Sequence, residues 1–291
     1  MKSAVFPLYF WLPSSYHTPP SAIAAIFGGL LTKVGIYALI RVYTLIFIPD
    51  DFTRTVFLVI ASLTLITGAL GALSKHQVRT MFSYLIVCHI GYLLGGLGLY
   101  TRLALAGTMF YLIHDVIVKT NLFLISGLIN KIRGTMNMDE QGGLFEDYPK
   151  LSMLMAVVMF SLVGIPPLSG FWPKIYLFGE TFAQEAWYLL AAMLVASFVT
   201  LYVIARLWSD IFWKRRPTHL DETDSFAEMR PRSRWMLVMP VVMLAVVSLY
   251  IGFFAEKINV LSTRIADDLL HPNAYIESVL GPDTFNNTKA K

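Results

Sequence analysis

The sequence predicts an all-α polytopic membrane protein with about seven complete transmembrane helices, a partial one at the N-terminus, and one helix broken at Gly164–Gly170. Three observations predict it. Hydrophobic residues make up 56% of the 291 and charged residues only 14%, where soluble domains carry about 25%; mean hydropathy is +0.61. The apolar residues gather into windows close to the roughly 20 residues that cross a hydrocarbon core of about 30 Å as a helix. Lysine and arginine concentrate in alternate connections, as they do on the cytoplasmic side of a membrane.

Taken in order, residues 1–12 are an apolar stub ending at Trp11-Leu12-Pro13, and the partial span lies there. Full spans are predicted at about 20–47, 54–73, 80–100 and 103–130. The next window, 150–180, is too long for one crossing; unbroken it would run roughly 45 Å at about 1.5 Å per residue. Its middle reads Gly164-Ile165-Pro166-Pro167-Leu168-Ser169-Gly170. The helix therefore breaks, and broken backbone at membrane depth is tolerated only where protein buries it or it lines a watery cavity. Spans at 186–212 and 234–254 complete a transmembrane domain, 1–254, followed by a polar tail, 255–291. Gly28-Gly29 and Gly95-Gly96 are expected at close helix contacts.

Connections on one side hold Lys75, Arg79, Lys131, Arg133, Lys150, Lys214, Arg215, Arg216, Arg230, Arg232 and Arg234. The opposite loops offer little beyond Arg54 and Arg102, and Lys257 and Arg264 stand in the tail. The basic side is expected in the cytoplasm and the tail outside. The stretch after Trp213 mixes both signs and reads as a solvated loop, as does the Lys75, His76, Arg79 cluster. A net charge of +4 suggests no nucleic-acid partner. The single cysteine, Cys88, excludes an internal disulfide and a paired-cysteine metal site, and reads as a core residue. With no haem motif or nucleotide fingerprint either, no catalytic residue, cofactor or metal is expected, and the chain by itself is not expected to be an enzyme.

Against that apolar background four lysines stand out: Lys2, Lys33, Lys119 and Lys174. A lysine at a helix centre costs roughly 2.5–3.5 kcal/mol on insertion scales, and intramembrane cations usually mark an ion or proton path. Lys33 sits in LLTKVGIYALIR, roughly 20 Å along a helix starting at Pro20 at about 1.5 Å per residue, and Lys174 follows the Gly-Pro-Pro break. His114 precedes Asp115, and histidine is the side chain suited to passing protons near neutral pH. Asp115 and Lys119 are i,i+4 neighbours in the favourable acid-first order, which permits a local ion pair. His89 is expected to be chiefly a structural histidine, with Asp115 and His89 as candidate modulators of the path. If Pro13–Pro20 lies at the cytoplasmic surface, a helical stub would carry Lys2 about 16 Å deep, with a free amino group beside it. Met1 is therefore expected to be an internal methionine of a longer protein.

The pattern K-x-A-x-F-P-x-x-x-W-L-P at 2–13, LLTKVGIYALIR at 30–41, H-x-x-x-x-K-x-x-L-F-L at 114–124 and GIPPLSGFWPK at 164–174 resembles the antiporter-like membrane subunits of respiratory complex I and of Mrp-type cation/proton antiporters. The wording FPLYFWLPSSY and GIPPLSGFWPKIYLF is most similar to the D-type branch of the Mrp subunits. The resemblance runs from Lys2 to about Phe254 and matches the family's seventh to fourteenth helices. It implies that Lys2 is the central titrating lysine of a broken helix and Lys33 a relay between half-channels. His114 and Lys119 would be connecting groups, and Lys174 an exit-side group. The glutamate that pairs with the Lys2 position in the family lies on a helix this chain does not contain. The implied function is a subunit of a multisubunit Na+/proton antiporter in a bacterial cell membrane. Its partners would be the other subunits, protons, a monovalent cation and the bilayer. The alternatives are a proton-pumping membrane subunit of an NADH-quinone oxidoreductase or membrane-bound hydrogenase, or a fragment of either kind that does not transport. Asn286-Asn287-Thr288 matches a glycosylation acceptor by chance.

Overall fold

The computed structural model describes residues 1–215 and 225–280. The described residues form no strand, only one isolated bridge between Gln77 and Asn137. Residues 1–10 are a run of turns, and helix α1 (Trp11–Tyr16) closes them. Helical rise therefore does not measure the depth of Lys2, whose side chain is exposed. Four helices long and apolar enough to cross a membrane follow in succession: α2 (Ser21–Leu45), α3 (Asp51–Leu73), α4 (Val78–Leu99) and α5 (Arg102–Arg133). An interrupted crossing comes next, α6 (Pro149–Val163) and α7 (Phe171–Ala183). Two further long apolar helices are α8 (Trp187–Trp213) and α9 (Pro231–Phe253). Among the described residues, six spans and a broken seventh make the all-α polytopic architecture that composition and window length anticipated.

The helix ends follow from local chemistry. Asp50 caps α3, its side chain accepting from the Thr53 amide at 2.9 Å. Thr101 caps α5 in the same way on Ala104, and α5 stops at Gly134 in the left-handed region. Pro149 opens α6 at its first turn, where a missing N–H costs nothing. Gly164 ends α6 at φ +90°, a conformation that a side chain would strain. The chain then runs through Pro166-Pro167 to Gly170, beyond which α7 begins.

α4 and α5 form the centre. Of the apolar window of α4, 94% is buried, against 28% for α9; a helix enclosed on all sides can be apolar on all faces. α5, 32 residues or roughly 48 Å long, packs against α2, α4, α6, α7 and α9. It also receives α10 (Ala255–Leu270), an amphipathic helix in the stretch read from sequence as tail, which seats Ala255, Ser262, Ala266 and Leu269 inward. Arg102 and Asp267 join these two helices in a bidentate pair, Nη2 to Oδ2 at 2.7 Å. α11 (Asn273–Leu280) follows, with Tyr275 beneath the Arg41 guanidinium at 4.5 Å. Arg216 and the Asn286–Thr288 triplet lie outside the described residues.

Backbones approach closely where α3 meets α4. A Cβ on Gly68 would strike the Cys88 backbone, and one on Gly91 would meet the Ala61 carbonyl and Leu65 nitrogen at 2.9 Å. Gly28 likewise faces Phe123 and Gly96 faces Thr108. A prediction follows from the contrast with Gly179, where nothing lies within 4 Å. Gly68→Leu should lower stability by about 1–3 kcal/mol through overpacking. Gly179→Ala should raise it by about 0.5–1 kcal/mol, since a helix interior favours alanine. Thermal unfolding of the two purified variants in one detergent, read as opposite shifts in melting temperature, checks both.

Candidate functional site

The buried polar groups form two connected clusters in the middle of the helical bundle. The first is built on Lys33 of α2. Just before it, Phe27–Leu31 winds as a π-turn, a wider helical turn common at functional positions. The Gly28 carbonyl in that turn accepts a hydrogen bond from Lys33 Nζ at 2.9 Å. The same ammonium lies 2.8 Å from Asp115 Oδ2, and the two side chains are 3% and 0% exposed. Asp115 Oδ1 in turn lies 3.1 Å from His89 Nδ1, and the Tyr111 hydroxyl is 3.1 Å from the same nitrogen. One nitrogen thus faces a carboxylate and a hydroxyl. Protonated, Nδ1 donates to Asp115; bare, it accepts from Tyr111. Tyr111 and Asp115 share one face of α5, with Lys119 one turn further on.

The second cluster gathers around the helix break. His114 Nδ1 is 2.8 Å from Ser169 Oγ. Ser169 belongs to a closed ring of three buried hydroxyls with Ser161 of α6 and Ser248 of α9, at 2.7, 2.9 and 2.9 Å. Gly170 lies against the histidine: a Cβ there would stand 3.0 Å from His114 Nε2 and collide with the Ser161 carbonyl. Lys174, one turn into α7, donates from Nζ to the Val163 carbonyl at 2.7 Å and rests 5.5 Å over the Tyr92 ring. Val163 is the last residue of α6, so the break leaves its carbonyl free of the usual intrahelical partner. Rings link the two clusters: Tyr92 stacks on Tyr111 at 5.3 Å, and Tyr111 meets His114 edge-on at 5.7 Å.

Of the residues singled out from sequence, Lys33, Asp115 and His89 come together directly, and His114 and Lys174 meet the break formed by Gly164, Pro166, Pro167 and Gly170. Lys119 is fully buried and lies within electrostatic reach of Asp115, Lys33 and Lys174, yet its Nζ has no hydrogen-bond partner among the described residues. The local Asp115–Lys119 pair that the spacing permits is not made; α2 brings the Lys33 ammonium to the carboxylate instead. Lys2 is exposed and does not join either cluster, although the backbone at Lys2 and Ser3 packs on Gly35 of α2. His89, expected chiefly as a structural residue, bridges Asp115 and Tyr111. Sequence reasoning passed over Tyr111, Tyr92 and the three serines. Tyr111 stands four residues before Asp115 and so on its face, which was a usable signal; single serines in apolar helices carry none. Among the described residues no group of three or more His, Cys, Asp or Glu side chains is placed to hold a metal ion.

A family model described as "NADH:quinone oxidoreductase/Mrp antiporter, TM" matches residues 1–200. A protein from Alkalihalophilus pseudofirmus, named as the D-type subunit of a Na(+)/H(+) antiporter, is 43% identical over 96% of this chain and 56% of its own length. The protein of the same name from Bacillus subtilis is 38% identical over the same shares. A solved structure of the Mrp complex from Dietzia sp. DQ12-45-1b superposes with a TM-score of 0.87 at 31% identity, covering 96% of this chain and 59% of the matched one. The chain thus spans a little over half the length of the relatives it matches.

The buried pair yields a thermodynamic prediction. Removing one member of a buried ion pair leaves an uncompensated charge and costs about 3–5 kcal/mol. Asp115→Ala and Lys33→Ala should each destabilise to that degree, and the double variant by less than their sum. A double-mutant cycle on melting in detergent should give a coupling of about 1–3 kcal/mol; additive losses would show that the two side chains do not interact.

Proposed function

The chain belongs to the NADH:quinone oxidoreductase/Mrp antiporter transmembrane family, and from that membership we propose that it serves in a multisubunit Na+/proton antiporter, conducting protons along its buried polar line. The observation that carries this reading is the line itself. It runs from Lys33 through Asp115, His89 and Tyr111 to His114, Ser169 and the break beside Lys174, at membrane depth where isolated charges are expensive. Antiport is favoured over a quinone-coupled role because the relatives at 43% and 38% identity carry the antiporter name.

In the proposed mechanism Asp115 is the counter-ion that the relay turns on. A proton on Lys33 Nζ passes to Asp115 Oδ2, which neutralises both groups; rotation of the carboxyl then presents that proton to a bare His89 Nδ1, which takes it and leaves the carboxylate. His89 exchanges its hydrogen bond to Asp115 for one from the Tyr111 hydroxyl as that nitrogen changes protonation. Between Tyr111 and His114 there is only a ring contact, so transfer there proceeds through water or a side-chain rotation. His114 and the serine ring then carry the proton toward Lys174. Lys119, one turn from Asp115 on the same helix, would compete with Lys33 for the carboxylate. The basic connections face the cytoplasm in this arrangement, with α10 and α11 on the opposite side.

The test uses the intact antiporter assembly in inverted membrane vesicles. Lys33→Ala and Lys174→Ala should each abolish Na+-dependent dissipation of a pH gradient, with the assembled complex still recovered by detergent extraction. Wild-type exchange in both variants would refute the relay. Loss of the assembled complex in the Lys174→Ala variant would assign that lysine to structure instead.

A further inference from the structure

One groove on the molecule has a shape and charge that the proton line does not explain. It lies between α2, α5 and α9 at their basic ends and encloses about 380 Å³. Its floor is Leu124 and Leu128 of α5, its outer wall Met236, Leu237 and Pro240 of α9, and Lys131 closes one end. Pro240 stands inside α9, where it removes an intrahelical hydrogen bond. Met236 and Leu237 are 66% and 41% exposed, so the groove opens outward from the bundle.

The mouth lies at the basic ends of the spans, where headgroups are expected. Trp235, 68% exposed, is in the first turns of α9, and tryptophan marks the membrane–water interface. Lys131 lies in the last turn of α5, and Arg230, Arg232 and Arg234 surround the start of α9. Arg234 is tied to the groove wall through its Nε bond to the Met229 carbonyl at 3.0 Å. On the α2 side, Arg79 holds the Pro19 carbonyl at 2.9 Å. Against these cations the segment 225–234 contains one carboxylate, Glu228. Along the trough the lining side chains are apolar apart from Ser21, and the charged group that closes it is the cation Lys131. An apolar trough between membrane spans, closed by cations at interfacial depth, complements an amphiphile with a negative head.

We propose that this groove binds one anionic phospholipid, with an acyl chain against Leu128 and Pro240 and the phosphate at Lys131. The bound lipid wedges α9 to α2 and α5. The inference rests on the membrane-spanning architecture and stands independently of the antiport reading.

The experiment reads lipid retention directly. The intact assembly is placed in nanodiscs of phosphatidylglycerol and phosphatidylcholine in equal parts, released, and weighed by native mass spectrometry. Lys131→Gln should cut retained phosphatidylglycerol about five-fold and leave phosphatidylcholine unchanged, as expected for one interfacial cation. Ala22→Trp, which fills the groove from α2, should lower both lipids, and Lys75→Gln, on the same face but away from the groove, should lower neither. Unchanged phosphatidylglycerol in both groove variants overturns the proposal. As a measurement that does not depend on those substitutions, Leu237→benzoylphenylalanine is irradiated in the same nanodiscs. A lipid adduct supports the site; a crosslink to polypeptide alone overturns it in favour of a protein partner.

Discussion

A buried ammonium needs an oxygen to hold it, and a regular membrane helix has none to spare, because each interior carbonyl already accepts from its own chain. This constraint organises the molecule. Lys33 is held by the Gly28 carbonyl of a π-turn and Lys174 by the Val163 carbonyl at a helix break. Two different backbone defects supply the same chemical service at two ends of the polar line. Each defect has its own sequence cause: paired glycines in one, Gly-x-Pro-Pro followed by Gly170 in the other. Lys119 has no such defect nearby, and it is the lysine whose Nζ lacks a hydrogen-bond partner among the described residues.

The defects are tolerated only because the helices around them pack closely. α5 is the common wall: it contributes Tyr111, His114, Asp115 and Lys119, and it touches every element that brings a partner to them. α4 brings His89 from a position enclosed on all sides, possible because Gly68 and Gly91 let α3 and α4 meet backbone to backbone. A shift of α3 would therefore move His89 relative to Asp115, which links a packing glycine to the geometry of a distant carboxylate.

Asp115 is the group whose loss would reach furthest. It offers one oxygen to Lys33 and the other to His89, so it neutralises a cation on one helix while orienting a histidine on another. Buried ion pairs of this kind contribute little net stability, since desolvation offsets their attraction. Their value lies in fixing which groups face each other. Family membership and the superposition on an Mrp complex chain agree with the overall helical bundle in which these groups are held.

The sequence alone determined the fold class, because hydropathy, window length and the placement of basic residues are local properties that the bilayer reads directly. It also marked Lys33, Lys174, His114 and the Gly164–Gly170 interruption, since charge, imidazole and helix-breaking residues are conspicuous against apolar surroundings. It could not decide who pairs with whom. The i,i+4 rule pointed Asp115 at Lys119, and only the approach of α2 to α5 turned the carboxylate to Lys33. Ser161, Ser169 and Ser248 come from three separate segments and mean nothing until the break folds them into one ring. The 255–280 stretch read as a tail because α10 has low average hydropathy; its four inward residues are spaced to match α5, and that match exists only in three dimensions. Local composition sets what each segment is, whereas the contacts that make a site arise between segments far apart in the chain.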